Sequence, residues 1–259
     1  MFENSKNLIT KSFMMKKILL ALLCVSGVLM ATAQNTDVKK KTDYSKIDLS
    51  NRANDHFMIQ YGMDGWLNEP DSAKPSGFSR HFNFYIMFDK PFKANPHYSA
   101  GIGLGLGSSN MFFKNTYVNL KSNTTKLPFT NVSATDHFSK FKLSTLFLEV
   151  PLELRYAQNP VTPDKGFKGA FGFKFGTLLK SYTKGKNLVT ASNQSIYDKN
   201  YIAKEADKRF INTTHIAVTG RIGYGNISLD GSYQLTPFLK TAAGGKFNPY
   251  SVGLTLSGL

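Results

Sequence analysis

Cysteine is nearly absent from this chain. The one residue, Cys24, lies in the apolar run Ile18 to Met30 near the N-terminus. That run follows Met14-Met15-Lys16-Lys17 and precedes Ala31-Thr32-Ala33, the order of basic region, short apolar region and small-residue cleavage site in a secretory signal peptide. It is too short to span a bilayer. Cleavage after Ala33 leaves a mature chain with no cysteine, which excludes disulfides and thiolate metal sites. A lipoprotein signal needs a small residue before the cysteine, and Leu23 is not small, so lipidation is the minor reading. Met14 or Met15 would begin a more ordinary signal than Met1.

Long apolar runs are missing too. After Gln34 no stretch nears the roughly 20 apolar residues of a transmembrane helix, so a membrane-inserted chain would have to cross as strands. Acids are scarce: 17 Asp and Glu stand against 32 Lys and Arg, a formal charge of +15. Removing residues 1–33 takes away four lysines and one glutamate, leaving 15 − 4 + 1 = +12. Such a balance suits anionic lipid headgroups or polysaccharide, and solvated lysines that keep a protein soluble account for it equally. Nucleic acid is excluded as a partner for want of a binding motif in an exported chain.

Chemistry-bearing clusters are also lacking. His56, His81, His97, His137 and His215 are scattered, and none has a serine and an acid in a recognisable local constellation, so no nucleophile and base are indicated. His215 reads as a hydrogen-bonding residue of a polar interior. With the acids at strand spacing, no metal ligands are indicated either. The glycines alternating through Gly101, Gly103, Gly105 and Gly107 follow the period of a strand and not a G-x-G-x-x-G phosphate loop. No catalytic, metal or cofactor-binding residues, and no cofactor, are therefore expected.

What the chain does have is alternation. Thr145 to Tyr156, TLFLEVPLELRY, puts Leu146, Leu148, Val150, Leu152, Leu154 and Tyr156 on one face. Thr145, Phe147, Glu149, Pro151, Glu153 and Arg155 take the other. Period-2 patterns recur over Phe57–Asp64, Phe78–Asp89, Tyr98–Gly107, Phe167–Ser181, Thr214–Tyr224, Ile227–Leu235 and Tyr250–Ser257. In Phe167–Ser181, Lys168, Lys174 and Lys180 share the polar face. Pro151 falls mid-strand, where a ladder hydrogen bond is lost unless a bulge intervenes.

The connections alternate long, short, long, short, long, short, long. The long ones are 66–77, 108–140, 182–212 and 237–249. Within them, Thr116 to Leu120 reads as an extra short strand and Lys199 to Lys208 as a brief helix. Short turns at one end and long loops at the other predict an all-β fold: an eight-stranded antiparallel transmembrane β-barrel, an up-and-down meander with long extracellular loops and short periplasmic turns. The expected organisation is signal peptide 1–33, flexible periplasmic leader 34–54 and outer-membrane barrel 55–259.

Three features turn the apolar face outward. The polar face is rich in Gly, Ser, Thr and Ala, which fit the narrow interior of eight strands and leave room for long neighbours. Tyr61, Tyr98, Tyr156, Tyr224 and Tyr250 sit on the apolar face near strand ends, as an aromatic girdle requires. Glu149, Glu153, Arg155, Lys168, Lys174, Arg221 and Asp230 are of both signs and suit a structural charge network in the lumen. A secreted lipocalin-like barrel would invert the faces.

TLFLEVPLELRY, the Gly/Phe strand GAFGFKFG, RIGYGNISLDGSYQLTPFL and PYSVGLTLSG together resemble the PorT-like, porin-family outer-membrane β-barrel proteins of Bacteroidetes-type bacteria. The resemblance covers most of the mature chain, includes a proline mid-strand, and is specific for architecture. It implies an integral outer-membrane barrel and permits a role in a secretion or gliding machinery. The function expected is that of a non-enzymatic structural or interaction protein with a side-chain-filled lumen, acting through its outer loops. Its partners would be outer-membrane lipid and lipopolysaccharide, with other envelope proteins reached through loops 108–140 and 182–212. An outer-leaflet lipid A-modifying enzyme or a small-solute channel is the alternative.

Overall fold

The computed structural model describes residues 49, 52, 56–69, 71–73, 75–76 and 78–258. The expected signal peptide, and the expected leader apart from Leu49 and Arg52, lie outside the described residues.

Eleven strands follow in order: β1 (Phe57–Leu67), β2 (Arg80–Pro91), β3 (Tyr98–Phe113), β4 (Thr116–Val118), β5 (Phe129–Asn131), β6 (His137–Ala157), β7 (Phe167–Val189), β8 (Ile202–Ala206), β9 (Thr214–Tyr224), β10 (Ile227–Gln234) and β11 (Asn248–Ser257). Eight of them close a ring, β1-β2-β3-β6-β7-β9-β10-β11 and back to β1, every pairing antiparallel. Strands β4 and β5 form a separate hairpin in the second long loop, and β8 extends the sheet beside the upper half of β7.

The register fixes the shape. Starting at Phe167 and stepping from partner to partner, the row runs Tyr224, Ile227, Leu256, Ile59, Phe84, Leu106, Leu148 and returns to β7 at Thr177. The stagger is thus 177 − 167 = 10 residues. With strands about 4.8 Å apart and about 3.3 Å of rise per residue, that sets a tilt of about 40° and a climb of about 2.5 Å per residue along the axis. The same row shows which face is outside, because its members up to Leu148 are all apolar or aromatic, and seven of the eight are exposed. The inverted, lipocalin-like arrangement is ruled out.

The lumen-facing glycines make room for long neighbours. A Cβ on Gly101 would strike Arg155, on Gly103 Met87, on Gly105 Tyr85, and on Gly107 Glu149. Pro151 keeps its pairing with Lys174 of β7, while the β3 ladder is interrupted between Ile102↔Leu152 and Gly105↔Glu149. The missing N–H therefore costs a stretch of one ladder and leaves the other intact.

Several expectations need correction. Residues 199–208 contain no helix: Ile202–Ala206 is strand β8, paired to Tyr182–Lys186. Trp66 is not in a loop but near the end of β1, with its side chain buried. Lys180 is not on the lumen face. The register slips between Leu146 and Phe147, so that Leu146 pairs Lys180 while Phe147 pairs Leu178, and the extra residue in β7 turns Lys180 outward. Tyr98, Tyr156 and Tyr224 mark the short-turn end and Tyr250 the other, but Tyr61 lies within the apolar belt between Phe82 and Leu254.

Candidate functional site

Two stacked interiors result, a polar one between the strands and an apolar one above it. At the short-turn mouth, Arg52 pairs Asp89 at 2.6 Å and donates to Pro160 O at 2.7 Å, while Arg155 Nη1 lies 3.5 Å from the same carboxylate. One layer up, Glu153 takes Arg155 Nε at 2.8 Å and Arg221 Nη2 at 2.9 Å. Lys168 Nζ donates to Ser257 Oγ at 2.9 Å, and Asp230 accepts from Thr255 Oγ1 at 2.7 Å. Higher again, Glu149 faces Lys174 at 3.2 Å and His215 at 3.1 Å, and Tyr85 donates its phenol proton to it. The seven charged residues singled out in the sequence thus all stand in or beside one column. Arg52, Asp89, Tyr85 and His215 join it, and alternation already puts Asp89, Tyr85 and His215 on the polar faces of their segments. Arg52 alone sits outside the alternating segments.

Near the upper end of the lumen, Asp64 accepts from both His81 Nδ1, at 2.7 Å, and Ser109. Histidine, serine and acid converge here from three strands, which no local motif signals. The carboxylate, not the imidazole, is the central member, so the serine proton is not directed to a base as nucleophilic catalysis requires. Of the other described histidines, His215 faces the same chamber beside Glu149, while His97 lies on a short turn against Ala157 O, His137 against Thr135 O, and His56 is exposed.

Free space in this column is small. A chamber of about 70 Å³ lies among Asp64, His81, Glu149, Lys174 and His215, and spaces of about 10 and 20 Å³ lie below it. These have room for a few ordered waters and no more.

Over the chamber the chemistry reverses. Trp66 packs on Phe247, Phe238 and Phe113 at centroid distances of 4.7, 4.9 and 5.8 Å. Around them, Phe147 and Leu178 rise from the barrel wall, and Leu120, Leu127, Phe210, Ile211 and Leu239 descend from three long loops. Backbone hydrogen bonds knit those loops: Leu127 N to Ala243 O, Asn212 N to Phe238 O, and Lys240 N to Phe210 O. The long connections are therefore not wholly polar and outward. Their apolar residues build a second core that roofs the lumen. Beyond the roof, the segment joining β7 to β8 exposes Ile196, Tyr197, Tyr201 and Ile202, with the two tyrosine rings 4.8 Å apart.

A closed antiparallel ring with an apolar exterior and a charged interior is a membrane-spanning β-barrel. Over residues 33–242 the sequence matches the family described as "Outer membrane protein beta-barrel domain", and the chain belongs to that family and to the outer membrane. No curated protein matches it. Among solved structures it is similar to Ail, the attachment invasion locus protein of Yersinia pestis, in complex with the heparin analogue sucrose octasulfate. The identity is 13%, over 80% of this chain and 99% of that one, with a TM-score of 0.35. The backbone structure of Ail in a phospholipid bilayer nanodisc gives 14%, 78%, 99% and 0.31. A mutant of Rh. blastica porin gives 7%, 79%, 98% and 0.18. None of these three similarities bears on function.

Proposed function

We propose that this protein is a closed, non-enzymatic outer-membrane barrel whose folded outer loops present a binding platform. The observation that carries this reading is the pair of seals in series, an ion-paired lumen with space for no more than a few ordered waters and an aromatic roof above it. Eight strands leave no wide aqueous path in any case. The exposed Ile196, Tyr197, Tyr201 and Ile202 supply the kind of contact surface that soluble partners bury, rigid amphipathic tyrosines flanked by aliphatic side chains. The roof gives that tip a fixed base. The likeness of Thr145–Tyr156, Gly169–Gly176, Arg221–Leu239 and Pro249–Gly258 to PorT-like proteins supports a partner within the cell envelope, in a secretion or gliding assembly. The charges Glu149, Glu153, Arg155, Lys168, Lys174, Arg221 and Asp230 then serve structure, filling the lumen and fastening its strands to one another.

Two measurements test this. Single-channel recording of the refolded protein is expected to show no stable conductance, and a large open state would overturn the closed-barrel reading. A photo-crosslinker at Tyr197 is expected to capture one discrete partner in intact cells. A crosslinker at Pro163, on a short turn, is expected to capture nothing at the outer surface. Equal patterns from both positions would remove the platform. Altered acylation of lipid A in cells carrying the gene would refute the non-enzymatic half.

A further inference from the structure

The outward turn of Lys180 has company. On β7 the outward residues Phe167 to Leu179 climb about 30 Å at about 2.5 Å per residue, which uses up the apolar belt. Lys180 stands where it ends, and Lys184 and Lys186 continue up the same face, the last about 15 Å higher. Neighbouring strands add to the column. Register places Lys142 of β6 beside Lys184, Lys204 of β8 on its other side, and Arg80 of β2 two strands from Ser144 and three from Tyr182. The outward rows through Lys180, Tyr182, Lys184 and Lys186 hold no Asp or Glu in any strand.

Aromatic rings hold three of these cations in place. Arg80 and Lys142 lie over the Phe112 ring, 5.3 and 5.9 Å from its centroid, and Lys180 lies 5.6 Å over Tyr182. Lys142 Nζ also donates to Asn110 Oδ1 at 2.6 Å, which Ser144 Oγ approaches at 2.8 Å. Like charges have been gathered and oriented in rows that hold no anion among the described residues.

We infer that Arg80, Lys142, Lys180, Lys184, Lys186 and Lys204 form a binding site for a phosphorylated glycolipid of the outer leaflet. Its acyl chains lie along the phenylalanine belt of β7, one phosphate meets Lys180 and a second meets Arg80 three strands away at the boundary, and anionic groups on the sugars meet Lys142, Lys184, Lys204 and Lys186 above. The height of the column selects this ligand. A glycerophospholipid headgroup carries its phosphate at the boundary only and reaches none of the upper lysines, whereas a phosphorylated saccharide headgroup spans them. The site rests on the membrane placement of the barrel and is independent of the loop platform.

The test uses the full-length protein refolded in nanodiscs, with bound lipid counted by native mass spectrometry. The probes are bisphosphorylated lipid A bearing its phosphorylated core sugars, the same lipid dephosphorylated, and phosphatidylglycerol. The phosphorylated glycolipid is expected to be retained. Lys180→Gln/Lys184→Gln/Lys204→Gln is expected to weaken it about 100-fold, near fivefold for each charge lost. Lys90→Gln/Lys93→Gln, at the short-turn end, is expected to leave binding unchanged. The gel shift on boiling certifies that each variant is a folded barrel. Equal retention of the dephosphorylated lipid, equal retention by the triple variant, or tighter binding of phosphatidylglycerol would each overturn the assignment.

Discussion

The two interiors of this molecule solve opposite problems. Within the membrane the apolar side chains are spent on the outside, so the lumen is filled by what remains: glycines, small polar residues and charges that must pair because no bulk water reaches them. Above the membrane the surroundings are water again, and the loops return to the ordinary arrangement, burying Trp66, Phe113, Phe210, Phe238 and Phe247 together. Phe147 and Leu178 belong to both, lying on the lumen face of their strands yet packed into the roof. The lumen is held by directional contacts that tolerate no missing partner. The roof is held by area, which degrades gradually.

Two substitutions of similar cost separate these regimes. Glu153→Ala strips Arg155 and Arg221 of their shared carboxylate and is expected to cost about 3–5 kcal/mol, the penalty for breaking a buried ion pair from one side. Phe247→Ala removes a fully buried ring from the roof and is expected to cost about 3–5 kcal/mol as well. The probes differ. Trp66 is the chain's one tryptophan and sits in the roof, so its fluorescence follows that core, while the gel shift on boiling follows the barrel. In urea, Phe247→Ala should lower the fluorescence midpoint and spare the gel shift, and Glu153→Ala should lower the gel-shift midpoint. If both probes move together in both variants, roof and lumen are one cooperative unit and the distinction fails.

A smaller effect sharpens the claim that the lumen is packed to its limit. A Cβ on Gly105 would fall 2.0 Å from Phe84 O and 2.5 Å from the Tyr85 ring, whereas one on Gly220 would meet nothing within 4 Å. Gly105→Ala is expected to destabilise the barrel by about 1–3 kcal/mol, the range for overpacking. Gly220→Ala should stay within about 0.5 kcal/mol. Equal midpoints for the two alanine variants in urea would mean that the lumen yields more than its register allows.

The contrast also explains what the sequence revealed. A strand crossing a membrane has one partner medium on each side, so TLFLEVPLELRY states its two faces directly, and eight such statements with alternating loop lengths give the ring. Seven charged residues of the lumen column were legible for the same reason. Alternation also puts Asp89 and Tyr85 on the polar face of Phe78–Asp89, though as a strand-end acid and an aromatic neither is marked as a member of the charge column. The roof was hidden more deeply. Its residues arrive singly from loops rich in polar side chains, with no period to mark Leu120, Leu127, Phe210 or Phe238 as partners. Lys180 was misplaced by one extra residue at Leu179, since alternation carries through a bulge with the wrong sign and nothing in the local sequence announces the bulge.

The smallest effect belongs to the contact that joins the roof to the upper wall. Tyr117, in the β4–β5 hairpin, donates to Glu205 Oε1 of β8 at 2.9 Å. Burial pushes its phenol up to about 12, and the hydrogen bond to Glu205 adds to the shift. A folded-state value above the ordinary 10 means that the fold holds this proton more tightly than the unfolded chain does. The contact's stabilisation is then complete below about pH 10 and lost as pH rises from 10 to 12. Because Tyr117 is partly open to water, Tyr117→Phe is expected to cost at most about 1 kcal/mol at neutral pH, read from the fluorescence of Trp66. The difference in absorbance at the tyrosinate band between the native chain and Tyr117→Phe should rise near pH 12. A rise near pH 10 would mean that the hairpin does not reach β8, and that the roof rests on apolar area alone.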